Sequence, residues 1–381
     1  MATVPEIAPE ELLRAVEAGE GVHVLDVRAP HRLASGRIDL VPPHRFHNVK
    51  GSELLAMADP SAAGLARGDP LAVVCGMGAD SRRVAEHLNA HGFSAKSLRG
   101  GMAAWMKALA AREAPCPAGL DAFVQFDRVG KGSLGYLLAS GGEALVVDPP
   151  RAFEPYLEKA RSLGARVVGV ADTHAHADYI SGGPALARLL GVPYRLHPAD
   201  AVSPYDGARA KIAFSPLGDG ERIRVGRAEA TVAHTPGHTE GSVTLLLGGD
   251  AALTGDFLFV RSIGRPDLGG KAAEWSRALW RSVERARRGW PRDLRVYPAH
   301  YSCETERGPA RIVGAPLSDL LARNEPLGLR DEEDFVAWVT NRAGAIPDLY
   351  RRIKEVNLGL LEADDDAADA LEFGRNECAL G

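Results

Sequence analysis

Short β-branched and aliphatic runs alternate with helical spacings over the first hundred residues, the pattern of a parallel sheet wound with helices. Residues 22–27 and 71–74 read as buried strands, 9–16 as an amphipathic helix, and 81–88 as a second helix with Ser81 suited to its N-cap. A short strand runs from Gly92-Phe93 through Leu98, and Gly100 to Trp105 opens a last helix. Residues 29–51, between the first two strands, are polar and rich in Pro, His and Arg.

Two prolines and a glycine in Ala114-Pro115-Cys116-Pro117-Ala118-Gly119 end that pattern. Strand pairs follow at 123–129, 135–138 and 144–147, then a helix over 153–163, a strand at 167–170 and a polar turn over 172–183. Further β-rich segments cover 223–232 and 242–247, with helical patterns at 275–288 and 331–340. This order predicts a layered sandwich with helices outside. The organisation expected is a first domain over 1–114, a linker over 115–120, a second domain over 121–360, and an acidic, alanine-rich end over 361–381 that reads as a solvated tail or surface helix.

A length of 381 residues fits two or three domains at about 150 residues each. The balance of 45 basic against 50 acidic residues lacks the excess that binding a phosphate backbone needs, which argues against nucleic acid as a partner. No apolar run approaches the roughly 18 residues required to cross a bilayer, and the carboxylate-rich start lacks the basic and apolar regions of a signal peptide. A cytoplasmic location with no membrane association is expected. Cys75, Cys116, Cys303 and Cys378 are widely spaced, so neither a disulfide framework nor a thiolate zinc site is indicated.

Cys75 opens the loop Cys75-Gly76-Met77-Gly78-Ala79-Asp80-Ser81, between a strand and a helix start. Backbone N–H groups and the positive end of a helix favour a thiolate there, although a cysteine at a strand end also reads as a small buried hydrophobe. Together with Leu25-Asp26-Val27-Arg28 and Leu98-Arg99-Gly100-Gly101 followed by Trp105, this loop resembles the rhodanese domain over roughly residues 5–112. The resemblance implies that Cys75 takes a sulfane sulfur, holds it as a persulfide cradled by the amides of Gly76, Met77, Gly78, Ala79, Asp80 and Ser81, and passes it to a thiol. Many rhodaneses carry Arg where this chain has Asp80, a change that would repel thiosulfate. Arg82 and Arg83 are the candidates to restore positive potential.

Thr173-His174-Ala175-His176-Ala177-Asp178-Tyr179 alternates His, His and Asp on a turn after a buried strand, and so gathers metal-binding side chains at one point. His238, Asp256 and His300 each sit where a β-rich segment gives way to a turn. A lone histidine is commonly structural; six such groups in this order resemble the metallo-β-lactamase fold over about 123–358, which implies an αββα sandwich. With Gly255-Asp256-Phe257-Leu258-Phe259-Val260 and Ile263-Gly264-Arg265-Pro266-Asp267-Leu268, the chain resembles the persulfide dioxygenases, especially bacterial forms fused to rhodanese domains.

That resemblance implies one Fe(II) per chain held by His174, His238 and Asp256, with zinc as an alternative or adventitious occupant. His176, Asp178, Tyr179 and His300 would orient ligands and water, and Arg265 would contact substrate. The implied reaction is oxidation of a thiol persulfide, carried by glutathione, coenzyme A or a similar thiol, with O2 to sulfite; a homo-oligomer is compatible. Tyr179 stands where dinuclear relatives have a histidine ligand, which favours one metal. A glyoxalase II-like thioesterase with two metals is the alternative, and a first domain that only binds or senses persulfide is a third reading. Cys303, just after His300, reads as a buried inert thiol that could also lie near the metal.

Overall fold

The computed structural model describes residues 4–308 and 310–380. The chain divides into two compact units. One runs to Ala110 and takes in Arg128–Lys131 and Phe373–Arg375; the other holds Ala111–Asp127, Gly132–Glu372 and the residues from Asn376.

The first unit carries a five-stranded, all-parallel sheet in the order Glu6–Ile7, Ser94–Leu98, Pro70–Val74, His23–Asp26, Phe46–Asn48. Helices Pro9–Glu17 and Ala79–Ala90 lie in two apolar clusters, one with Val24, Ala72 and Trp105 and the other with Leu25, Val73 and Cys75, as expected for a parallel sheet covered on both faces. Two local expectations change. The N-cap of Ala79–Ala90 is Gly78, at φ +95°, a backbone region that glycine adopts readily; Ser81 sits two residues inside the helix and bonds back to the Gly78 carbonyl at 3.1 Å. Strand Phe46–Asn48 lies within the polar stretch, and all three of its residues are only partly buried.

The second unit contains a seven-stranded sheet in the order Ser215–Pro216, Tyr194–Leu196, Arg166–Ala171, Glu143–Val147, Ser133–Ser140, Ala122–Arg128, Leu109–Glu113. A six-stranded sheet runs in the order Arg222–Val225, Ala228–His234, Val243–Leu247, Ala251–Gly255, Arg295–Pro298, Ala315–Pro316. Their inner faces share one core with Phe123, Tyr136, Leu145, Val232, Leu245 and Tyr297. Helix Ala272–Gly289 packs Leu279, Trp280 and Val283 against Phe257 and Val296 in a second cluster. The architecture is mixed α/β, a parallel sheet with helices followed by a sandwich. Residues 115–120 fall inside the second unit, and the segment before them is the strand Leu109–Glu113 rather than the end of a helix.

The acidic end is packed. Helix Asp365–Glu372 buries Ala368 and Leu371 against Tyr350 and Ile353, Arg151 pairs with Asp365, Asp369 and Glu372, and Cys378 and Leu380 are buried. No helix among the described residues is long and apolar enough to cross a membrane.

Candidate metal centre and cysteine loop

Four strands of the second unit end at the site. Glu143–Val147 delivers Asp148, Arg166–Ala171 leads into residues 172–181, Ala251–Gly255 leads to Asp256, and Arg295–Pro298 to His300. His238 comes from the turn between Ala228–His234 and Val243–Leu247. Gly255 has φ +54°, and a Cβ there would stand 2.5 Å from Thr173 Oγ1, so this glycine lets the aspartate strand approach the histidine turn.

One ligand atom each of His174, His238 and Asp256 lies within a single 4.8 Å cluster. His174 Nε2 and His238 Nε2 stand 3.6 and 3.4 Å from Asp256 Oδ2. All three atoms are buried without a hydrogen-bond partner among the described residues. Buried polar atoms are normally paired, so three orphans facing each other fit a cation between them.

The surrounding bonds set the tautomers. His238 Nδ1 is 2.9 Å from the Arg265 carbonyl, which can only accept, so Nδ1 carries the proton and Nε2 the lone pair. The Thr173 hydroxyl donates to Asp148 Oδ2 at 2.9 Å and so accepts from His174 Nδ1 at 3.0 Å, again freeing Nε2. Burial pulls His238 down to about 4 and His174 well below the usual imidazole range, with the neighbouring His176 and His238 adding to the latter, so both are neutral. Asp256 Oδ1 meets His300 Nδ1 at 2.6 Å, and His300 Nε2 meets Asp178 Oδ2 at 3.1 Å. Burial opposes charge on His300, but Asp178 and Asp256 outweigh it and push its pKa up to about 10. His300 thus orients Asp256 from behind, as groups beside metal ligands do.

His176 falls outside the triad's cluster and joins Asp148 and Asp172 instead. Its Nε2 lies 3.1 Å from Asp148 Oδ1 and 2.9 Å from the Tyr179 hydroxyl, so the phenol holds the imidazole. Asp178 and His300 cluster with Cys378, a contact the sequence spacing did not suggest. The Arg265 guanidinium binds Asp267 at 2.8 and 2.6 Å and the Gly344 carbonyl at 2.8 Å, while its own carbonyl fixes His238. Cys303 is exposed rather than buried, with its thiol 3.0 Å from Thr305 Oγ1.

Two clamps lie outside every motif. Asp200 accepts from the amides of Ala175 and Gly241 at 2.7 Å each and from Thr239 Oγ1 at 2.8 Å, tying both histidine turns to one carboxylate. Asn357 donates to the His176 and Tyr179 carbonyls at 2.9 Å each and accepts from the Ser181 amide at 2.8 Å. Asn357 was recoverable as a polar residue on the buried stripe of an amphipathic helix; Asp200, in a short 3-10 turn, carried no such signal.

In the first unit Cys75 is buried, its sulfur accepting from the Gly78 amide at 3.0 Å and lying 3.3 Å from Ser81 Oγ, which reaches Ser97 Oγ at 2.9 Å. Asp80 is exposed. Arg82 is committed to Glu6, with which it pairs at 2.5 Å.

The family model described as the metallo-beta-lactamase superfamily matches residues 129–301, and that of the rhodanese-like domain matches 8–108. An uncharacterized protein of Aquifex aeolicus is 35% identical over 47% of this chain and 88% of its own length. The human mitochondrial persulfide dioxygenase ETHE1 is 35% identical over 42% of this chain, and the hydroxyacylglutathione hydrolase of Anaeromyxobacter dehalogenans 36% identical over 45%. The chain spans only 59% and 63% of the lengths of those two relatives. Among solved structures, ETHE1 from Myxococcus xanthus superposes with a TM-score of 0.53 at 26% identity, covering 62% of this chain and 97% of that one.

Proposed function

Because the chain belongs to the metallo-beta-lactamase superfamily and carries a rhodanese-like domain ahead of that fold, we propose that it is a persulfide dioxygenase with a sulfurtransferase domain. The observation that carries this reading is the set of three orphaned, buried ligand atoms, two imidazole nitrogens and one carboxylate oxygen, on His174, His238 and Asp256. His174, His238 and Asp256 would hold a ferrous ion, which would supply the redox chemistry for oxidation of a substrate sulfur by O2. Likeness to the human persulfide dioxygenase ETHE1, and to the structure of ETHE1 from Myxococcus xanthus, supports the same assignment.

The proposed reaction is R-S-S⁻ + O2 + H2O → R-SH + SO3²⁻ + H⁺. The terminal sulfur is oxidised by four electrons, O2 is reduced, and the S–S bond breaks with the proton going to the released thiolate. Within it, His300 and Asp178 hold Asp256 in orientation, while Asp200 and Asn357 keep the two histidine turns rigid. In the first domain, the Cys75 thiolate would attack the outer sulfur of a donor persulfide R-S-SH, forming Cys75-S-SH as the donor S–S bond breaks and R-S⁻ leaves, with the Gly78 amide bonded to the Cys75 sulfur.

A hydroxyacylglutathione hydrolase reading draws on the similarity to such an enzyme, but it calls for a second metal to activate water, and Tyr179 occupies the position of the missing ligand. Anaerobic reconstitution with ferrous iron, followed by metal analysis and oxygen uptake with glutathione persulfide and coenzyme A persulfide, tests the assignment. One iron per chain and equal amounts of O2 consumed and sulfite formed are expected. Two metals per chain with thioester hydrolysis and no oxygen uptake would refute it.

A further inference from the structure

Helix Asp348–Asn357 turns four residues inward: Tyr350, Ile353, Lys354 and Asn357. Tyr350 and Ile353 join an apolar cluster, and Asn357 clamps the histidine turn. Lys354 has no such task within the fold. It is 3% exposed, and no carboxylate stands within ion-pairing distance of its ammonium among the described residues. Its contact is the ring of Trp275, whose centroid lies 5.9 Å from Nζ.

The neighbouring acids are already engaged. Asp200 spends both oxygens on Ala175, Thr239 and Gly241, and Glu240 Oε1 accepts from Lys271 Nζ at 2.6 Å and Trp275 Nε1 at 3.2 Å. Burial of an ammonium without a counter-ion is strongly unfavourable, and here burial does pull the lysine below its usual range.

Lys354 lines a recess with Ala175, Asp200, Thr239, Glu240 and Trp275 whose free space is about 10 Å³. That is room for a single water-sized atom, so the recess could take one oxygen or sulfur of a ligand and not a thiol carrier. Ala175 and Thr239 directly follow His174 and His238, so the recess adjoins both histidine turns. The lysine charge is felt at His174, His238 and Asp256.

We propose that Lys354 receives an anionic group of the substrate that binds at the His174–His238–Asp256 site. This rests on the persulfide reading above. The missing counter-ion is then the ligand itself, and the ammonium, a compact charge seated on an indole, is suited to a single-point contact with an anion. Two parts of a thiol persulfide are anionic: its terminal sulfur, and any carboxylate on its carrier.

The test uses the full chain reconstituted with ferrous iron, as wild type, Lys354→Met and Lys354→Arg. Oxygen uptake is measured with glutathione persulfide and with the persulfide of 2-mercaptoethanol, which has no carboxylate. Lys354→Met should keep its iron and raise KM about tenfold or more, the scale of one lost charge-assisted hydrogen bond, with a smaller change in kcat and partial recovery in Lys354→Arg. A rise with both substrates assigns the contact to the terminal sulfur; a rise with glutathione persulfide alone assigns it to the carrier carboxylate.

Calorimetric titration with sulfite and with S-methylglutathione reads the same contact without turnover. Weaker binding of either probe to Lys354→Met upholds the lysine even if no persulfide is oxidised, so this proposal and the enzymatic assignment fail separately. An iron-depleted Lys354→Met would mean a structural role and overturn the proposal. So would a wild type that binds neither probe and oxidises neither persulfide, or a variant with unchanged KM and unchanged affinities.

Discussion

The two candidate sulfur sites are built by opposite means. Around Cys75 the sulfur's partners are local: Gly78 and Ser81 lie three and six residues on, and Ser97 joins Ser81 from another strand. Around Asp256 the partners come from far away. His300 is 44 residues from it, Asp200 is 25 and 41 residues from the amides it holds, and Asn357 is 181 residues from the carbonyl of His176. A loop that stabilises one sulfur anion needs backbone amides, which any short turn supplies. A site that gathers buried charges around a cation must have each one aimed and neutralised by something else, and one segment cannot do that.

The sharpest way to break this contrast is Asp256→Ala. It removes the only carboxylate of the triad, so iron retention and oxygen uptake should fall below detection together while the fold persists by circular dichroism. Retained iron would show that the cation site lies elsewhere. Cys75→Ser should abolish sulfur transfer and leave oxygen uptake with a small persulfide unchanged; loss of both would mean that the two sites are not separate in function.

Asp200→Asn probes the long-range construction. Its carboxylate holds three donors, and losing the charge should cost about 2–4 kcal/mol of stability and about 10- to 100-fold in iron affinity, read by thermal melting and by competition with a chelator. Tyr179→His should release His176 from the phenol and return the ligand type used by dinuclear relatives. A second bound zinc per chain, absent in the wild type, is expected by calorimetry. The smallest effect concerns Asp80, an exposed carboxylate beside the cysteine loop. Asp80→Arg should raise thiosulfate-dependent transfer about threefold to tenfold, and added salt should shrink the gain because exposed charges are screened within about 10 Å at 0.1 M.

The same contrast explains what could be read from the chain. The strands around Val24, Val73 and Val146 and the helix carrying Leu279 and Val283 follow from apolar periodicity. The histidine and aspartate residues of the site stand out because they recur at strand ends. Phe46–Asn48 escaped because a half-buried strand with His and Asn among its three residues has no apolar signature. Ser81 was read as a cap from residue type alone, whereas the left-handed backbone at Gly78 sets the helix start. Cys303 reads as buried from its place just after His300, yet it is exposed, because nearness along the chain does not set burial. Cys378 reaches the site through tertiary packing of a segment whose own spacing carries no chemistry, whereas Lys354 and Asn357 are marked only as polar residues on the buried stripe of a helix.

The reach of Asn357 also sets a timetable for the newborn protein. The histidine turn emerges from the ribosome long before the amide that fastens it, by 181 residues counted from His176. At roughly 5–20 residues per second, that interval is about 10–35 seconds. During it two imidazoles and a carboxylate are exposed to whatever divalent ions the cell offers, and copper and zinc outcompete ferrous iron for such groups.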